Sequence, residues 1–199
     1  MRDFILENKD TLKFIVNYHS YGNMFITPYN GSDQTNVLTH AEQAIYGEIV
    51  SEAIFPPNMT SGSAYSLLNY FANGEASDWA LSTAGIIAMS PELASNSAMS
   101  LTFDIPSVRE EAQIILENMD MPFYLLAKAS AQLSVTPQDS SPVRIISNKK
   151  DIILEFTVNN KGMLPARDVA ITVKINDVST VHTATQSFDK LGQRASTNF

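Results

Sequence analysis

The sequence predicts an α/β fold over its first two-thirds, with part of an open mixed sheet and flanking helices, followed by an incomplete all-β segment of sandwich type. Two short apolar runs, residues 12–18 and 85–89, have the length and composition of strands covered on both faces. Helix-opening capping sequences precede two further stretches of the chain. Towards the C-terminus the apolar residues alternate with polar ones, which is typical of a sheet with one buried and one solvated face.

The first half of the chain contains helices on either side of its first strand. Residues 3–9 predict an amphipathic helix, and residues 12–18 predict the strand. Thr39 and Glu42 form a capping box, in which each side chain can accept a hydrogen bond from the other residue's backbone N–H. Helical spacing of apolar residues continues from there to Pro56, which lacks an N–H and stops the helix.

A second capping box is formed by Ser107 and Glu110. The apolar spacing that follows predicts one long helix that ends near Lys128. Pro122 lies inside this stretch, and we expect a kink there because a proline removes one helical hydrogen bond.

The composition of the sequence changes at residues 134–143, which are rich in Ser and Pro. Period-two alternation then follows, carried by Ile152, Leu154, Phe156, Val158, Val169, Ile171, Val173 and Ile175. We therefore predict an α/β domain over residues 1–130, a linker over residues 131–143 and a β-sandwich-like domain that begins in residues 144–199. Fewer strands fit here than a closed sandwich needs.

Composition excludes several classes of function. Hydrophobic residues make up 44% of the 199 residues and charged residues 17%, so a packed core is expected. The net charge of -8 argues against a nucleic-acid partner, since phosphate binding needs clustered Lys and Arg. The apolar runs are too short for a transmembrane segment. Glycosylation sequons at Asn30 and Asn58 favour an extracellular or secretory location, although no targeting segment is visible.

One of the three histidines, His19, stands where an apolar strand gives way to polar residues. His40, at a helix start, and His182, among Thr and Ser, are interpreted as surface residues. A histidine at a strand end can be a structural cap, or it can be a ligand at the sheet edge where α/β proteins bind their substrates. Glu92 follows the second strand, and Tyr70 lies in a loop between the two. In one interpretation, Glu92 caps the strand and Tyr70 is an interface aromatic. In the other, both residues and His19 are parts of a metal-assisted hydrolytic site.

A family resemblance favours the second interpretation. The segment NYHSYGNMFITPYN resembles the part of the M14 (carboxypeptidase A-like) zinc carboxypeptidases that holds the third zinc ligand. YFANGEASDW resembles the loop of this family in which a Tyr is followed by Gly and Asp-Trp, and Glu92 stands one strand later, before Leu. The segment FDIPSVREEAQIILENMDMPFYLLA resembles the closing helix of the family. The three motifs occur in the family's order between about residues 2 and 128.

The resemblance implies a zinc-dependent metallocarboxypeptidase that acts on peptide or protein C-termini. His19 would be a zinc ligand, and Glu92 would be the general base for the attacking water. Tyr70 would close over the C-terminal end of the substrate, while Ser20 and Tyr21 would line the cleft. We expect the His19 ring and the Glu92 carboxylate to converge on neighbouring strands at one rim of the sheet.

The resemblance also implies parts that precede the third ligand. These are an His-x-x-Glu motif with two more zinc ligands, an Arg that polarises the scissile carbonyl, and an Asn-Arg pair for the substrate carboxylate. No His precedes His19 in the sequence. We therefore expect residues 1–130 to be the C-terminal part of a carboxypeptidase domain, and the 199-residue chain to be inactive by itself. The alternative function is a non-catalytic peptide-binding or β-sandwich interaction module.

The specificity pocket is weakly marked in the sequence. In the family the position before Asp78 contacts the substrate side chain, and it is acidic in enzymes that prefer C-terminal Lys or Arg. Ser77 occupies this position and would be a substrate-binding residue. Asn30, expected near the pocket floor, is uncharged. The preferred C-terminal residue thus stays open.

Overall fold

The chain folds into two compact units, Met1–Leu125 and Leu126–Phe199. The computed structural model describes residues 1–32, 37–53, 55–56, 58–94, 108–137, 146–147, 152–153, 156–176 and 181–198. The first unit is α/β and the second is mainly antiparallel β, which confirms the predicted fold class. Within these described ranges no helix has both the length and the apolar composition needed to cross a membrane.

The first unit is organised on an open mixed sheet. Its strands are β1 (Phe14–Val16), β2 (His19–Ser20), β3 (Met24–Ile26), β4 (Thr60–Gly62) and β5 (Ile87–Leu93). The strand order is β1-β5-β3-β4, and β2 also pairs with β5. β1 and β2 run parallel to β5, whereas β3 is antiparallel to it. β5 thus pairs with three strands, β1, β2 and β3, while β4 pairs with β3.

The central position of β5 follows from its sequence. Ile87, Ala88 and Met89 are consecutive and all buried, so neither face of the strand meets water at this point. Continuous apolar residues of this kind suit a strand that is covered on both faces. Buried residues from the neighbouring elements complete the core, and they include Phe25, Tyr46, Ile49, Ala80 and Leu81.

The described part of the chain contains six helices. They are α1 (Arg2–Glu7), α2 (His40–Glu52), α3 (Ala64–Leu68), α4 (Ala76–Ala84), α5 (Val108–Asn118) and α6 (Asp120–Ala129). The predicted capping box at the start of α2 is confirmed. The Glu42 backbone N–H donates to Thr39 Oγ1 at 3.3 Å, and the Thr39 backbone N–H donates to Glu42 Oε2 at 2.6 Å.

The predicted long helix is two helices, separated at Met119. Pro122 therefore does not kink a continuous helix. It stands in the first turn of α6, where the backbone N–H groups have no partner within the helix and a proline is tolerated. Ser107, the expected cap of this stretch, lies outside the described residues.

The second unit consists mainly of antiparallel strands. These are β6 (Leu133–Pro137), β7 (Ile146–Ser147), β8 (Ile152–Ile153), β9 (Phe156–Asn160), β10 (Ala166–Asn176), β11 (Val181–Leu191) and β12 (Ser196–Asn198). β12, β9 and β6 form one sheet, and β10 pairs with β11 along its whole length. Val158, Ala166, Val169 and Leu191 form the buried core. The alternation predicted for this region matches the observed strands, except that Leu154 lies outside the described residues.

The stretch predicted as a linker, residues 131–143, differs from the structure over five residues. Leu133–Pro137 is strand β6, which pairs antiparallel with β9 so that Val135 stands opposite Val158. The β-branched Val135 and Thr136 suit a strand, and the available edge of β9 outweighs the turn preference of Ser and Pro. Residues 138–143 of the predicted linker lie outside the described part of the chain.

Candidate active site

A cleft of about 370 Å³ lies in the first unit beside the carboxyl-terminal part of β5. Its polar lining includes His19, Asn30, Tyr70, Glu75, Ser90 and Glu92. Three of these were singled out in the sequence as candidates for chemistry. The cleft therefore brings together His19, Glu92 and Tyr70, although they are as many as 73 positions apart in the chain (92 minus 19).

His19 and Glu92 are direct neighbours across two strands. The parallel pairing of β2 with β5 places His19 opposite Glu92, and the antiparallel pairing of β3 places Met24 on the other side of Glu92. Both side chains line the same cleft. This agrees with the expectation that the imidazole and the carboxylate meet at one rim of the sheet.

The His19 ring has a defined contact. Its Nε2 atom is 2.8 Å from Nδ2 of Asn17, and an amide nitrogen can only donate. The backbone N–H of Asn17 in turn donates to the Met89 carbonyl oxygen at 2.9 Å, which ties the segment to the central strand. Asn17 therefore orients an otherwise exposed imidazole at the cleft.

Glu92 is a half-buried carboxyl group. Burial raises its pKa above the usual range for a glutamate, because a charged carboxylate is poorly solvated there. The charge of His19 lowers the pKa of Glu92, and that of Glu75 raises it further. The two glutamates of the cleft are thus close enough to influence each other.

Glu75 has a fixed position at the start of α4, where it is the N-cap residue. Its Oε2 accepts hydrogen bonds from the backbone N–H and the hydroxyl of Ser77, both at 2.8 Å. Its Oε1 accepts from the Ser90 hydroxyl at 2.7 Å. Three donors therefore hold this carboxylate in the wall of the cleft.

Ser77, predicted to be a substrate-binding residue, is buried beside Glu75. Ser77 is only 1% exposed, it is not among the residues that line the cleft, and its hydroxyl bonds to Glu75. The first turn of α4 directs Ser77 inwards, while the preceding cap residue, Glu75, lines the cleft. Ser20 and Tyr21 are exposed and are also not among the lining residues of this cleft.

Asn30 is completely buried at the cleft, and its backbone N–H and both polar atoms of its side chain form hydrogen bonds. The Asp78 carboxylate accepts from the Asn30 backbone N–H at 2.7 Å, from its Nδ2 at 3.1 Å and from the Gly31 N–H at 3.0 Å. Oδ1 of Asn30 accepts from the Ala64 N–H at 2.7 Å. Burial raises the pKa of Asp78, although its backbone hydrogen bonds oppose the shift. Asp78 thus braces the loop that carries Asn30.

Tyr70 lies on the more open side of the cleft, and its side chain is 55% exposed. It directly follows Asn69, which ends α3 in a left-handed conformation with φ 58°. Asparagine tolerates this conformation better than most residues because its short side chain can bond locally. The adjacent Phe71 stacks on Tyr65 with ring centroids 4.6 Å apart.

The described residues do not by themselves fit a zinc ion. They contain no group of three His, Cys, Asp or Glu side chains that could hold a metal. Catalytic zinc sites have three protein ligands and an open position for water. His19 supplies a suitable imidazole, but it is a single ligand.

Sequence reasoning did not single out several residues that line the cleft, among them Asn17, Glu75 and Ser90. A signal existed for Ser90, because it stands two positions before Glu92 in a strand, and such residues share one face of the sheet. Asn17 stands two positions before His19 in the same way, although a break separates β1 from β2. No signal pointed to Glu75, because the sequence analysis did not predict helix α4, whose N-cap it is.

A comparison with protein families relates the chain to a family of known enzymes. The model of the zinc carboxypeptidase family, peptidase M14, matches residues 1–118, which is more than half of the chain. A search of curated proteins finds no significant match. The family match covers the whole sheet of the first unit and ends with the last residue of α5.

Proposed function

We propose, since the chain belongs to the zinc carboxypeptidase family, that its first unit carries part of the active site of a zinc-dependent enzyme that removes C-terminal residues from peptides or proteins. The observation that carries this proposal is the pairing of His19 with Glu92 at the wall of a cleft. An imidazole beside a carboxylate can supply one metal ligand and one proton acceptor, which are two of the groups that a metal-assisted hydrolysis uses.

In this proposal His19 is one zinc ligand. Two further ligands come from an His-x-x-Glu motif outside these 199 residues, as the family resemblance implies. Bound zinc would supply the chemistry of a Lewis acid that makes water a better nucleophile. The single-ligand donor set of the described residues is the reason for placing the other ligands elsewhere.

Glu92 acts as the proton carrier. It accepts a proton from the water molecule whose oxygen bonds to the carbonyl carbon of the C-terminal amide. When the C–N bond breaks, Glu92 returns that proton to the departing amine nitrogen, so that atoms and charge balance. Its half-buried position beside His19 suits this role. Tyr70 donates a hydrogen bond to the substrate from the open side of the cleft.

A second candidate is a non-catalytic module that binds peptide ends in the same cleft. The family match supports a carboxypeptidase-like function and does not favour this alternative. In that case His19 and Glu75 would bind a peptide by hydrogen bonds and charge alone.

We also propose an extracellular or secretory location. The sequon at Asn58 supports it, because this side chain is exposed. The sequon at Asn30 gives no support, since Asn30 is fully buried and its Nδ2 bonds to Asp78.

The test uses the enzyme expressed from its complete coding sequence and supplied with zinc. Glu92→Gln keeps the size of the side chain but removes the base, so turnover of blocked dipeptides should fall by about two to four orders of magnitude. Zinc content, measured by elemental analysis, should not change. His19→Ala should lose the metal as well as activity.

Glu111→Gln is the matched control, because Glu111 is an exposed carboxylate on α5 outside the cleft. It should retain turnover and zinc. Near wild-type turnover in Glu92→Gln contradicts the proposed mechanism. Peptide binding without any hydrolysis by the zinc-loaded wild type favours the non-catalytic module.

A further inference from the structure

Two Asn-Gly pairs lie at the cleft, Asn30-Gly31 and Asn73-Gly74. The two segments are bonded to each other, since Oδ1 of Asn73 accepts a hydrogen bond from the backbone N–H of Ser32. In an Asn-Gly pair the glycine nitrogen can attack the side-chain amide carbon of the asparagine, because glycine has no Cβ atom to obstruct the approach. The same chemistry therefore meets two different surroundings.

The pair Asn30-Gly31 is closed to this reaction. The Gly31 N–H donates to the Asp78 carboxylate at 3.0 Å, so the attacking nitrogen is already held by a partner. The Asn30 side chain is fixed as well: Nδ2 donates to Asp78 at 3.1 Å, and Oδ1 accepts from the Ala64 N–H at 2.7 Å. Because Asn30 is fully buried, these bonds must open before its side chain can react.

The pair Asn73-Gly74 is open by comparison. Both residues are exposed, and both line the cleft. Gly74 has a φ of +81°, a left-handed conformation that favours glycine, and nothing lies within 4 Å of the position a Cβ atom would take. The backbone of Gly74 therefore has room to turn towards the Asn73 side chain.

Ser32 presents two hydrogen-bond donors to the side-chain oxygen of Asn73. Its backbone N–H is 2.8 Å from Oδ1, and its hydroxyl is 2.9 Å from the same atom. When a nucleophile adds to an amide carbon, negative charge develops on the amide oxygen, and donors already aimed at that oxygen stabilise it. The two donors of Ser32 have this arrangement at Asn73.

We propose that Asn73 is a site of self-catalysed deamidation in the folded protein. The Gly74 nitrogen loses its proton to water and bonds to Cγ of Asn73. The Cγ–Nδ2 bond breaks, and Nδ2 takes up a proton and leaves as ammonia, so that atoms and charge balance. Water then opens the cyclic imide. Cleavage of the bond from the Gly74 nitrogen to Cγ gives aspartate at position 73, and cleavage of the bond to the backbone carbonyl carbon gives isoaspartate.

Either product changes the cleft. A new carboxylate joins those of Glu75 and Glu92 in its wall. Isoaspartate also adds one carbon atom to the backbone shortly before Glu75, the N-cap residue of α4. The charge and shape of the cleft therefore change as the protein ages. This inference does not depend on the proposed carboxypeptidase function, because the modified residue itself is measured.

The test follows the folded protein, expressed from its complete coding sequence, during incubation at mildly alkaline pH. Peptide mapping by mass spectrometry detects the exchange of –NH2 for –OH at each asparagine, and chromatography separates aspartate from isoaspartate. Asn73 should convert at least about tenfold faster than Asn30, whose reaction requires the opening of several hydrogen bonds. In denaturant the two should convert at similar rates, since both precede glycine. Equal rates in the folded protein, or an intact Asn73 while the unfolded chain converts, would overturn the proposal.

Two variants test the local chemistry. Ser32→Ala keeps the N–H donor but removes the hydroxyl, so conversion at Asn73 should slow by about 2- to 12-fold. Ser51→Ala, at an exposed serine of α2, is the matched control and should change nothing. Asn73→Gln should stop conversion at this position, because the larger ring closes far more slowly. An equal or faster rate in Ser32→Ala contradicts the role of Ser32. If a variant does not fold, the ratio of Asn73 to Asn30 conversion in the wild type decides the question.

Discussion

Each unit of the molecule contains an asparagine that is almost completely buried, and the two asparagines differ in what lies beside them. Asn30 in the first unit is 0% exposed, and Asn160 in the second is 1% exposed. Both bond to backbone groups that are distant in sequence. A buried amide with no partners would be costly, so both networks are needed for folding.

Asn160 bonds to the backbone with every group of its side chain. Its Nδ2 donates to the carbonyl oxygens of Leu164, Leu191 and Gly192, and its Oδ1 accepts from the N–H groups of Gln132 and Gly162. These bonds join three loops at one end of the second unit. The partners of Asn160 in these five hydrogen bonds are all backbone groups, and none of them is a titratable side chain.

Asn30 instead bonds to a carboxylate, that of Asp78, and lines a cleft that also contains His19 and Glu92. The comparison teaches that burial and complete hydrogen bonding of a polar residue are not signs of function by themselves. Function is indicated where such a residue supports a cavity with titratable groups in its wall.

The largest effect should come from removing the two asparagines. Asn160→Ala leaves two buried N–H groups and three carbonyl groups without their partner, and should lower the free energy of unfolding by about 2–4 kcal/mol. Asn30→Ala should destabilise the first unit by a similar amount and should also reduce peptide hydrolysis or binding, whereas Asn160→Ala should not affect the cleft.

Hydrogen exchange of the backbone amides measures the stability of the second unit. The fluorescence of Trp79, the one tryptophan in the sequence, reports the unfolding of the first unit. Asn159→Ala is the control, since the Asn159 side chain donates to Thr136 and is only half-buried. The comparison fails if Asn160→Ala is as mild as Asn159→Ala, or if Asn30→Ala leaves the cleft fully functional.

A smaller effect is expected at Gly162, where the same network leaves no room for a side chain. A Cβ atom there would overlap the Ser130 carbonyl oxygen and lie 2.6 Å from the Gln132 nitrogen. Gly162→Ala should therefore destabilise the second unit by about 1–3 kcal/mol, as overpacking does. Thermal unfolding followed by circular dichroism measures the change.

Gly47→Ala is the matched control in the first unit. Gly47 lies in α2, and a Cβ atom there meets nothing within 4 Å. Because alanine is the better helix former, this substitution should stabilise by about 0.5–1 kcal/mol. Opposite signs at the two glycines are expected, and equal signs would mean that the close approach at Gly162 relaxes without cost.

The parts of the fold that sequence could predict are those set by local pattern. The apolar run around Ala88 predicted a buried strand, and Thr39 with Glu42 predicted the start of α2. The neighbouring positions of His19 and Glu92 could be predicted because strand ends meet at one sheet edge, and the register confirms this placement. Their catalytic roles remain predictions.

The parts that sequence missed depend on tertiary context. Whether Glu75 or Ser77 lines the cleft depends on how the first turn of α4 docks against Ser90, and no local pattern contains that information. β6 forms because β9 offers an edge to pair with, despite the Ser and Pro residues nearby. The break at Met119 separates two segments whose helical spacing alone looks continuous.

The smallest predicted effect is at the open side of the cleft. Tyr70→Phe removes one hydroxyl from a side chain that is 55% exposed, so the stability of the first unit should not change. If Tyr70 donates one hydrogen bond to the substrate, its loss costs about 0.5–1.5 kcal/mol, which corresponds to roughly a 2- to 12-fold decrease in kcat/KM. Tyr65→Phe is the control, since Tyr65 is similarly exposed, stacks on Phe71 and is not among the cleft-lining residues. Steady-state kinetics on blocked dipeptides measure both.

A loss as large as that expected for Glu92→Gln would make Tyr70 a proton-transfer group rather than a substrate contact. An unchanged kcat/KM would mean that the open side of the cleft does not bond the substrate through this residue, and the difference between the two units would then rest on His19, Glu75 and Glu92 alone.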